Sequence, residues 1–319
     1  MKIVGVSLGT RNGNNDAMCK EALVAARDMG VEVSFVHLMD WNIQDCTGCV
    51  ACSVGLVTGK GNICTRRDEF DSFRSLLLEA DGILFVNPIF VCGGSGLFHT
   101  IMDRFGPRAD RGMNIIAHQM AMEKGTRDTD PGLLKDKVIS FIGIGGSDWA
   151  TAIQNDCYEL AMTPLWKVID NEVFSWSKNI IMEDEKVERV RQIGRNLAQA
   201  AADIEHASYQ GEEGVCPHCH GKNFYMIPRT TKAICMSCGI EGEMVIEDGS
   251  LKFTFTSEDE KKAHDTLSGK FIHADDIRVN EGKAMENRKS PKFREAQARI
   301  RSYEIEEILP PSKVHGHTL

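Results

Sequence analysis

Several common signatures are missing from this chain of 319 residues. It has no run of about 20 apolar residues, so the sequence predicts no membrane-spanning helix. The start, Met1-Lys2-Ile3-Val4-Gly5, reads as a strand and lacks the apolar core and cleavage site of a secretory signal, so we expect a cytoplasmic protein. Neither a Ser-His-Asp arrangement nor a metalloprotease motif is evident, and the sequence therefore gives no support for hydrolysis.

The charge balance excludes another class of function. Lysine and arginine number 37 against 46 acidic residues, which gives a net charge of −9. Such a chain is poorly suited to binding phosphate backbones, so we do not expect a nucleic-acid partner. A hydrophobic fraction of 42% with 26% charged residues is ordinary for a globular protein, and the length allows one large domain with a smaller module.

Cysteine, in contrast, is abundant, with 11 residues, many of them in Cys-x2-Cys spacing. In a reducing compartment this spacing indicates metal ligands more than disulfides. Cys46, Cys49 and Cys52 form one compact run, and Cys64 follows. A [4Fe–4S] cluster fits such a run because each iron needs its own sulfur ligand. A zinc ion or free thiols are the alternatives.

A second cysteine group lies in the last third of the chain. Two knuckles, Cys216–Cys219 and Cys235–Cys238, are joined by a hairpin-length segment, 224–234. This pattern predicts a four-cysteine zinc ribbon, although the same sulfurs could hold a rubredoxin-type iron or no metal. A module this small buries little apolar surface, so we expect the metal to have a structural role.

Strand and helix patterns alternate through the first 207 residues. Strands are predicted at 2–7, 31–38, 82–86, 138–144 and within 165–174, and helices at 17–30, 68–80, 95–105, 149–162 and 183–207. This alternation predicts a flavodoxin-like, doubly wound sheet of five parallel strands in an α/β domain.

The loops after these strands carry the polar and glycine residues. Leu8–Asn15 is small, polar and placed before a helix, which suits a phosphate. It lacks the Walker and dinucleotide patterns, so a plain connecting loop is the alternative. Asn87–Ser95 and Gly143–Ser147 follow two buried strands, where open α/β sheets bind ligands. Residues 106–131 show no clear period and are predicted to be a long loop that closes over the site.

The composition shifts at Gly211, which predicts three parts. They are a flavodoxin-like domain at 1–210, the zinc ribbon at 211–256 and a charged helical tail at 257–319. In the tail, cap chemistry predicts a helix from Ser257 to about Ile272 and a second from Pro291 to Tyr303. A tail of this kind is typical of a solvated helix or an arm that holds a partner.

Four places together resemble the iron–sulfur flavoproteins within the NAD(P)H-dependent FMN reductases. They are the opening Ser7–Asp16 loop, the compact cysteine run, Ala80-Asp81-Gly82-Ile83 running into Asn87-Pro88-Ile89-Phe90, and Asp103-Arg104 in the following helix. The resemblance covers roughly residues 2–207. The zinc ribbon and the charged tail lie outside it.

The resemblance implies FMN bound at the carboxyl ends of the strands, with a [4Fe–4S] cluster on Cys46, Cys49, Cys52 and Cys64 nearby. The phosphate would contact Ser7, Thr10, Arg11, Asn12, Gly13, Asn14 and Asn15. The isoalloxazine would lie between Pro88, Ile89, Phe90, Val91, Cys92 and Gly93 on one side and Gly145, Gly146 and Ser147 on the other. It also implies a homodimer or homotetramer.

The chain departs from the family pattern at four points. Cys64 follows the cysteine run later than in the family, after the glycine-containing insert 53–63. Gly9 and Asp16 replace a serine and a threonine of the phosphate loop, which removes hydroxyl donors and adds a negative charge. His99 stands where many relatives carry lysine, and with Cys92 it is a candidate catalytic residue.

From these observations we expect an oxidoreductase that uses FMN and a [4Fe–4S] cluster, with zinc in the ribbon. NAD(P)H or a ferredoxin-like carrier would deliver the electrons, and a small organic molecule, a quinone or an oxygen species would accept them. The alternative is a redox-responsive regulatory protein whose ribbon binds a protein or nucleic acid.

Overall fold

The computed structural model describes residues 1–308 and 310 of the chain. It divides into two compact units, Met1–Ala274 and a second that begins at Asp275. The first unit contains the α/β part and the cysteine-rich segment that follows it. Within the described residues, no helix is both long and apolar enough to cross a bilayer.

A five-stranded parallel sheet forms the centre of the first unit. Its strands are β1 (Lys2–Ser7), β2 (Glu32–His37), β3 (Gly82–Pro88), β4 (Val138–Ile144) and β5 (Lys167–Phe174). All neighbours pair in parallel in the order β2-β1-β3-β4-β5. This is the flavodoxin-like order, so the predicted fold class is confirmed.

Helices cover both faces of the sheet. They are α1 (Asn14–Arg27), α2 (Ala51–Val57), α3 (Phe70–Glu79), α4 (Gly96–Ala109), α5 (Arg111–Lys124), α6 (Ile153–Met162) and α7 (Asp184–Ala202). Along β3, Phe85 packs on the side of α3, α4 and α6, whereas Leu84 packs on the side of α1 and α7. Because side chains of a strand alternate between faces and both faces are buried, β3 and β4 are apolar almost throughout.

The prediction of a closing loop at 106–131 is wrong. Helix α4 continues through a kink at Gly106 to Ala109, and α5 follows at once, capped by Asp110, whose carboxylate accepts the Met113 N–H at 3.0 Å. The Gly106-Pro107 break interrupts the apolar period, which hides the helices in the sequence. Asn114 is fully buried and bonded to the Arg108 and Asp110 carbonyls, so α5 is a packed element.

An antiparallel four-stranded sheet follows, with order β6-β7-β8-β9. Its strands are β6 (Phe224–Met226), β7 (Lys232–Cys235), β8 (Glu241–Glu247) and β9 (Ser250–Thr254). The β6–β7 pair is the hairpin predicted between the two cysteine knuckles. Ser237 Oγ donates to Asn155 Oδ1 at 3.0 Å, so this sheet is tied to α6 of the α/β part.

The remaining helices are α8 (Ser257–Glu260), α9 (Leu267–Lys289) and α10 (Pro291–Arg301). The predicted single helix from Ser257 to Ile272 is therefore wrong. A capping box between Thr256 and Asp259 starts α8, which ends after one turn. The predicted helix from Pro291 is confirmed, with Ser290 as its cap. The part of the proposed tail beyond residue 308, except residue 310, lies outside the described residues.

Gly194 lets α7 approach α1 closely, because a Cβ built there would lie 2.0 Å from the Ala22 carbonyl oxygen. We expect Gly194→Ala to lower the free energy of unfolding by at least about 2 kcal/mol, since the backbones must separate. The matched control is Gly282→Ala in α9, where an added Cβ meets nothing within 4 Å. That change should be neutral or stabilising by about 0.5–1 kcal/mol. Equal urea midpoints for the two variants would contradict the assignment.

Candidate functional site

The loops after four strands are joined at the carboxyl edge of the parallel sheet. Leu8 N–H donates to the Val86 carbonyl at 3.0 Å, and Ile89 N–H donates to the Ile144 carbonyl at 3.0 Å. The Gly145 carbonyl in turn accepts the Ser177 N–H at 2.8 Å. The predicted phosphate loop and both predicted ring loops therefore meet in one place, with the loop after β5 as a fourth wall.

The phosphate loop, defined here as residues 7–16, runs from the end of β1 into the start of α1. The cap residue Gly13 offers no side chain to the first helical amides, so these are available to an anion. Asn15 is buried, and its Nδ2 has no hydrogen-bond partner within the described residues. A Cβ on Gly9 would lie 2.6 Å from Asn15 Oδ1, so glycine is needed for this packing. A free buried donor beside bare helix amides fits a bound phosphate.

Other polar groups of the phosphate loop are engaged within the protein. Ser7 Oγ donates to Asp16 Oδ1 at 2.6 Å, and the Asn12 N–H donates to Asp16 Oδ2 at 2.7 Å. Arg11, a predicted phosphate ligand, forms an ion pair with Asp40. Asn14 Nδ2 donates to the Lys178 carbonyl at 2.8 Å.

His37 completes this network from the end of β2. Its Nδ1 lies 2.9 Å from Asp16 Oδ1, and both side chains are almost completely buried. Burial is the largest influence on the Asp16 carboxyl and raises its pKa, but the hydrogen bonds from Ser7, Asn12 and His37 outweigh it and hold the pKa below the ordinary value. Asp16 is therefore a buried carboxylate.

The loop after β3 has an unusual backbone. Val91 and Cys92 both have positive φ, 48° and 63°, a conformation that is costly for a β-branched residue such as valine. Phe90 and Gly93 exchange backbone hydrogen bonds at 3.0 and 3.1 Å, which close the turn. Asn87 is buried at the end of β3 and its Nδ2 has no partner among the described residues, so it offers a second free donor at this edge.

Exposed aromatic side chains stand on three of these loops. Phe90, Trp149 and Trp176 are 60%, 61% and 66% exposed. Large apolar side chains held in water at the mouth of a site are typical of a surface that a ligand or partner covers. Phe90 is predicted here from the sequence but Trp176 is not, because nothing local indicates that the loop after β5 lies beside Gly145.

The candidate catalytic residues lie on the same side of the site. His99 on α4 has its Nε2 3.6 Å from Asp156 Oδ2, and that same oxygen accepts the Gly94 N–H at 2.7 Å. Cys92 is half-buried, and its carbonyl accepts the Ala152 N–H at 3.0 Å. Asp156, which the sequence analysis missed, thus connects the ring loop to the imidazole.

The first cysteine group lines one small cavity. Cys46, Cys49, Cys52 and Cys64 surround it, together with Arg66, Arg104 and Arg108. Helix α2 begins at Ala51 and runs into the insert 53–63, and two turns at Gly59 and Gly61, both with positive φ, bring Cys64 back to the run. Within residues 1–308 and 310, these four thiols are not close enough together to share one ion.

Donors and positive charge surround these thiols. The Gly48 N–H lies 3.5 Å from Cys46 Sγ, and Arg104 Nη2 lies 3.8 Å from Cys64 Sγ. The Thr65 hydroxyl, 3.3 Å from Cys49 Sγ, is the main cause of a lowered pKa of that thiol. Hydrogen bonds and positive charge favour thiolates, the form that binds metals. The chemistry of the donor set therefore fits an iron–sulfur cluster.

Arg104 also has a structural role. It donates to both Asp68 carboxylate oxygens, at 2.5 and 3.0 Å, and to the Gln44 carbonyl at 2.6 Å. The guanidinium lowers the pKa of Asp68 to about 2, so the pair stays charged at all ordinary pH values. The pair fixes the segment before Cys46 to α4.

The second cysteine group is built differently. Cys216, Cys219, Cys235 and Cys238 are buried, and their four sulfur atoms lie within 4.8 Å of one another. The Cys216–Cys238 and Cys219–Cys235 sulfur distances are 3.9 and 3.5 Å. Sulfurs at the corners of a tetrahedron, each about 2.3 Å from a central ion, are about 3.8 Å apart. This group therefore has the geometry for a single metal ion.

Comparisons with known proteins agree with this site. Residues 1–178 match the family model described as NADPH-dependent FMN reductase. A solved structure titled flavone reductase is 52% identical, covers 97% of this chain and 100% of its own, and superposes with a TM-score of 0.87. A flavone synthase from Aspergillus candidus is 27% identical over 87% of this chain and 88% of its own length. An iron-sulfur flavoprotein from Archaeoglobus fulgidus is 25% identical over 63% of this chain and 80% of its own.

The family match covers more than half of the chain and includes all the loops at the carboxyl edge except the last residues of the fourth wall. It agrees with the resemblance carried by the Ser7–Asp16 loop and the cysteine run. The chain belongs to the NADPH-dependent FMN reductase family and is a flavin-dependent oxidoreductase.

Proposed function

We propose that this protein uses FMN and NAD(P)H to reduce the conjugated carbon–carbon double bond of a flavone-like compound. The observation that carries the proposal is the carboxyl edge of the sheet, where Asn15 Nδ2 and Asn87 Nδ2 are buried without a hydrogen-bond partner among the described residues, and where exposed aromatic side chains stand on three of the loops. When bound, FMN supplies the two-electron hydride transfer that this reduction needs.

The donors suit the cofactor, and the aromatic side chains suit the substrate. A flavone is flat and aromatic, so Phe90, Trp149 and Trp176 could stack against it and exclude water from its faces. The solved structure titled flavone reductase and the fungal flavone synthase, which both span most of this chain, support this substrate class.

The proposed function is tested by mixing the FMN-loaded protein with NADH or NADPH and a flavone without oxygen. We expect flavone-dependent oxidation of the nicotinamide and a product heavier by two hydrogens. Trp176→Ala should raise KM for the flavone about three- to tenfold, the worth of one aromatic contact. Met122→Ala changes a side chain that is 74% exposed on α5 and serves as the control. Nicotinamide oxidation that no flavone accelerates would exclude this substrate class.

His99 is the group we assign to proton delivery. Reducing a carbon–carbon double bond adds a hydride to one carbon and a proton to its neighbour, so an acid must face the substrate. His99 is half-exposed on the ring side of the site, and its Nε2 lies 3.6 Å from the Asp156 carboxylate, which orients the imidazole. Asp156 is in turn held by the Gly94 N–H.

We expect His99→Gln to lower kcat about 100-fold or more, the usual contribution of a general acid, with unchanged flavin content. His118→Gln is the matched control, because that histidine lies on α5, away from the ring loops, and pairs with Asp128. Flavin content is measured by absorbance and kcat by product formation. If the two variants kept similar kcat values, another group would have to supply the proton.

We further propose that Cys46, Cys49, Cys52 and Cys64 hold a [4Fe–4S] cluster. They line one cavity while remaining too far apart to share one ion, as expected of sulfurs that bind separate irons. Cys216, Cys219, Cys235 and Cys238 are proposed to hold one zinc ion, since their closely spaced sulfurs match a tetrahedral site.

Metal analysis of protein purified without oxygen should give about four irons and four sulfides, and about one zinc, per chain. Cys64→Ser should abolish the iron and sulfide but keep the zinc, whereas Cys235→Ser should lose the zinc alone and lower Tm. Cys92→Ser, which changes a cysteine outside both groups, is the control. A Cys64→Ser protein with full iron content would show that another ligand completes the cluster.

A further inference from the structure

Asp16 occupies the place in the phosphate loop where a negative ligand would be most favourable. It lies in the first turn of α1, where the helix dipole and free amides stabilise an anion. It is 1% exposed and accepts hydrogen bonds from the Ser7 hydroxyl, the Asn12 amide and His37 Nδ1, at 2.6–2.9 Å. The protein thus holds an anion of its own, the Asp16 carboxylate, in the first turn of α1.

This carboxylate removes donors from any phosphate. A serine hydroxyl has one proton to donate, and that of Ser7 is given to Asp16. The Asn12 amide is used in the same way, and the Arg11 guanidinium is paired with Asp40. The free buried Nδ2 of Asn15 and the first amides of α1 remain for a ligand.

The charges around the loop act in the same direction. Asp16 stays ionised because its three hydrogen bonds outweigh the cost of burial, which is also seen in its lowered pKa. Asp40 adds a second carboxylate, and Arg11 and His37 face these two groups. A phosphate that enters the loop therefore meets an Arg11 guanidinium that is already paired with Asp40, together with the buried like charge of Asp16.

We propose that Asp16 is a specificity-determining residue that weakens the hold on the flavin phosphate, so that the site selects its flavin mainly by the ring and ribityl chain. The inference rests on the flavin binding proposed above and deepens it. With a weakened hold on the phosphate, the wild-type protein would discriminate poorly between FMN and riboflavin, which differ only in the phosphate.

The test measures the Kd of FMN and of riboflavin for flavin-free, full-length protein by quenching of flavin fluorescence. We expect the wild-type protein to prefer FMN by less than about tenfold. Asp16→Asn removes the charge at nearly constant shape and should tighten FMN binding about ten- to hundredfold, the worth of a regained charge-assisted hydrogen bond, while changing riboflavin binding less than about twofold. Asp28→Asn, the same change at the exposed far end of α1, should alter neither Kd.

Each other outcome overturns the proposal. Weaker FMN binding in Asp16→Asn would show that the carboxylate shapes the loop for phosphate, and equal tightening of both flavins would show a general effect. Asp16→Thr removes the charge by a second substitution. For either variant, riboflavin binding and Tm equal to those of the wild-type protein would exclude misfolding. If the wild-type protein bound neither flavin, the proposed function itself would fail, whereas flavin binding that is insensitive to Asp16 would overturn this inference alone.

Discussion

The burial of β3 and β4 on both faces is the constraint on which the rest of the structure depends. Their side chains alternate between two helical layers, so both strands are apolar almost throughout, with Ser140 as a buried polar exception within β4. Polar side chains and glycines are therefore concentrated where these strands end, and the positive φ angles of Val91 and Cys92 lie in the loop after β3. Because parallel strands all end at the same edge, loops that are far apart in the chain become the walls of one site.

At that edge, some hydrogen-bond donors are available to a ligand, whereas others are already bonded to carboxylates of the protein. Within the described part of the chain, Asn15 and Asn87 keep buried amide hydrogens without partners, which is costly unless a ligand accepts them. Ser7 and Arg11, in contrast, are satisfied by the protein's own carboxylates, Asp16 and Asp40. The site thus has donors for a flavin, but its Arg11 cation is already paired with a carboxylate of the protein, whereas a strong phosphate site needs its positive charge for the phosphate. The exposed aromatic side chains extend the site outward, where the flat substrate proposed above would bind.

The two cysteine groups show how the same residue type can serve different purposes. The buried group beside the antiparallel sheet brings four sulfurs to the spacing of one ion. The first group lies more openly, around a cavity edged by arginines, in the same α/β part as the flavin loops. Arg104 links it to Asp68 and α4, so a change in that ion pair would disturb the cavity.

The sequence by itself determined the five strands of the sheet, the spacing of the two cysteine groups and the loops of the site, because apolar period and ligand spacing are local properties. It failed at 106–131, where the kink at Gly106 interrupts the period of two packed helices. Only the tertiary structure placed Trp176 and Asp156 at the site and turned Asp16 inward to Ser7 and His37. These contacts join residues from separate elements, so no local pattern could encode them.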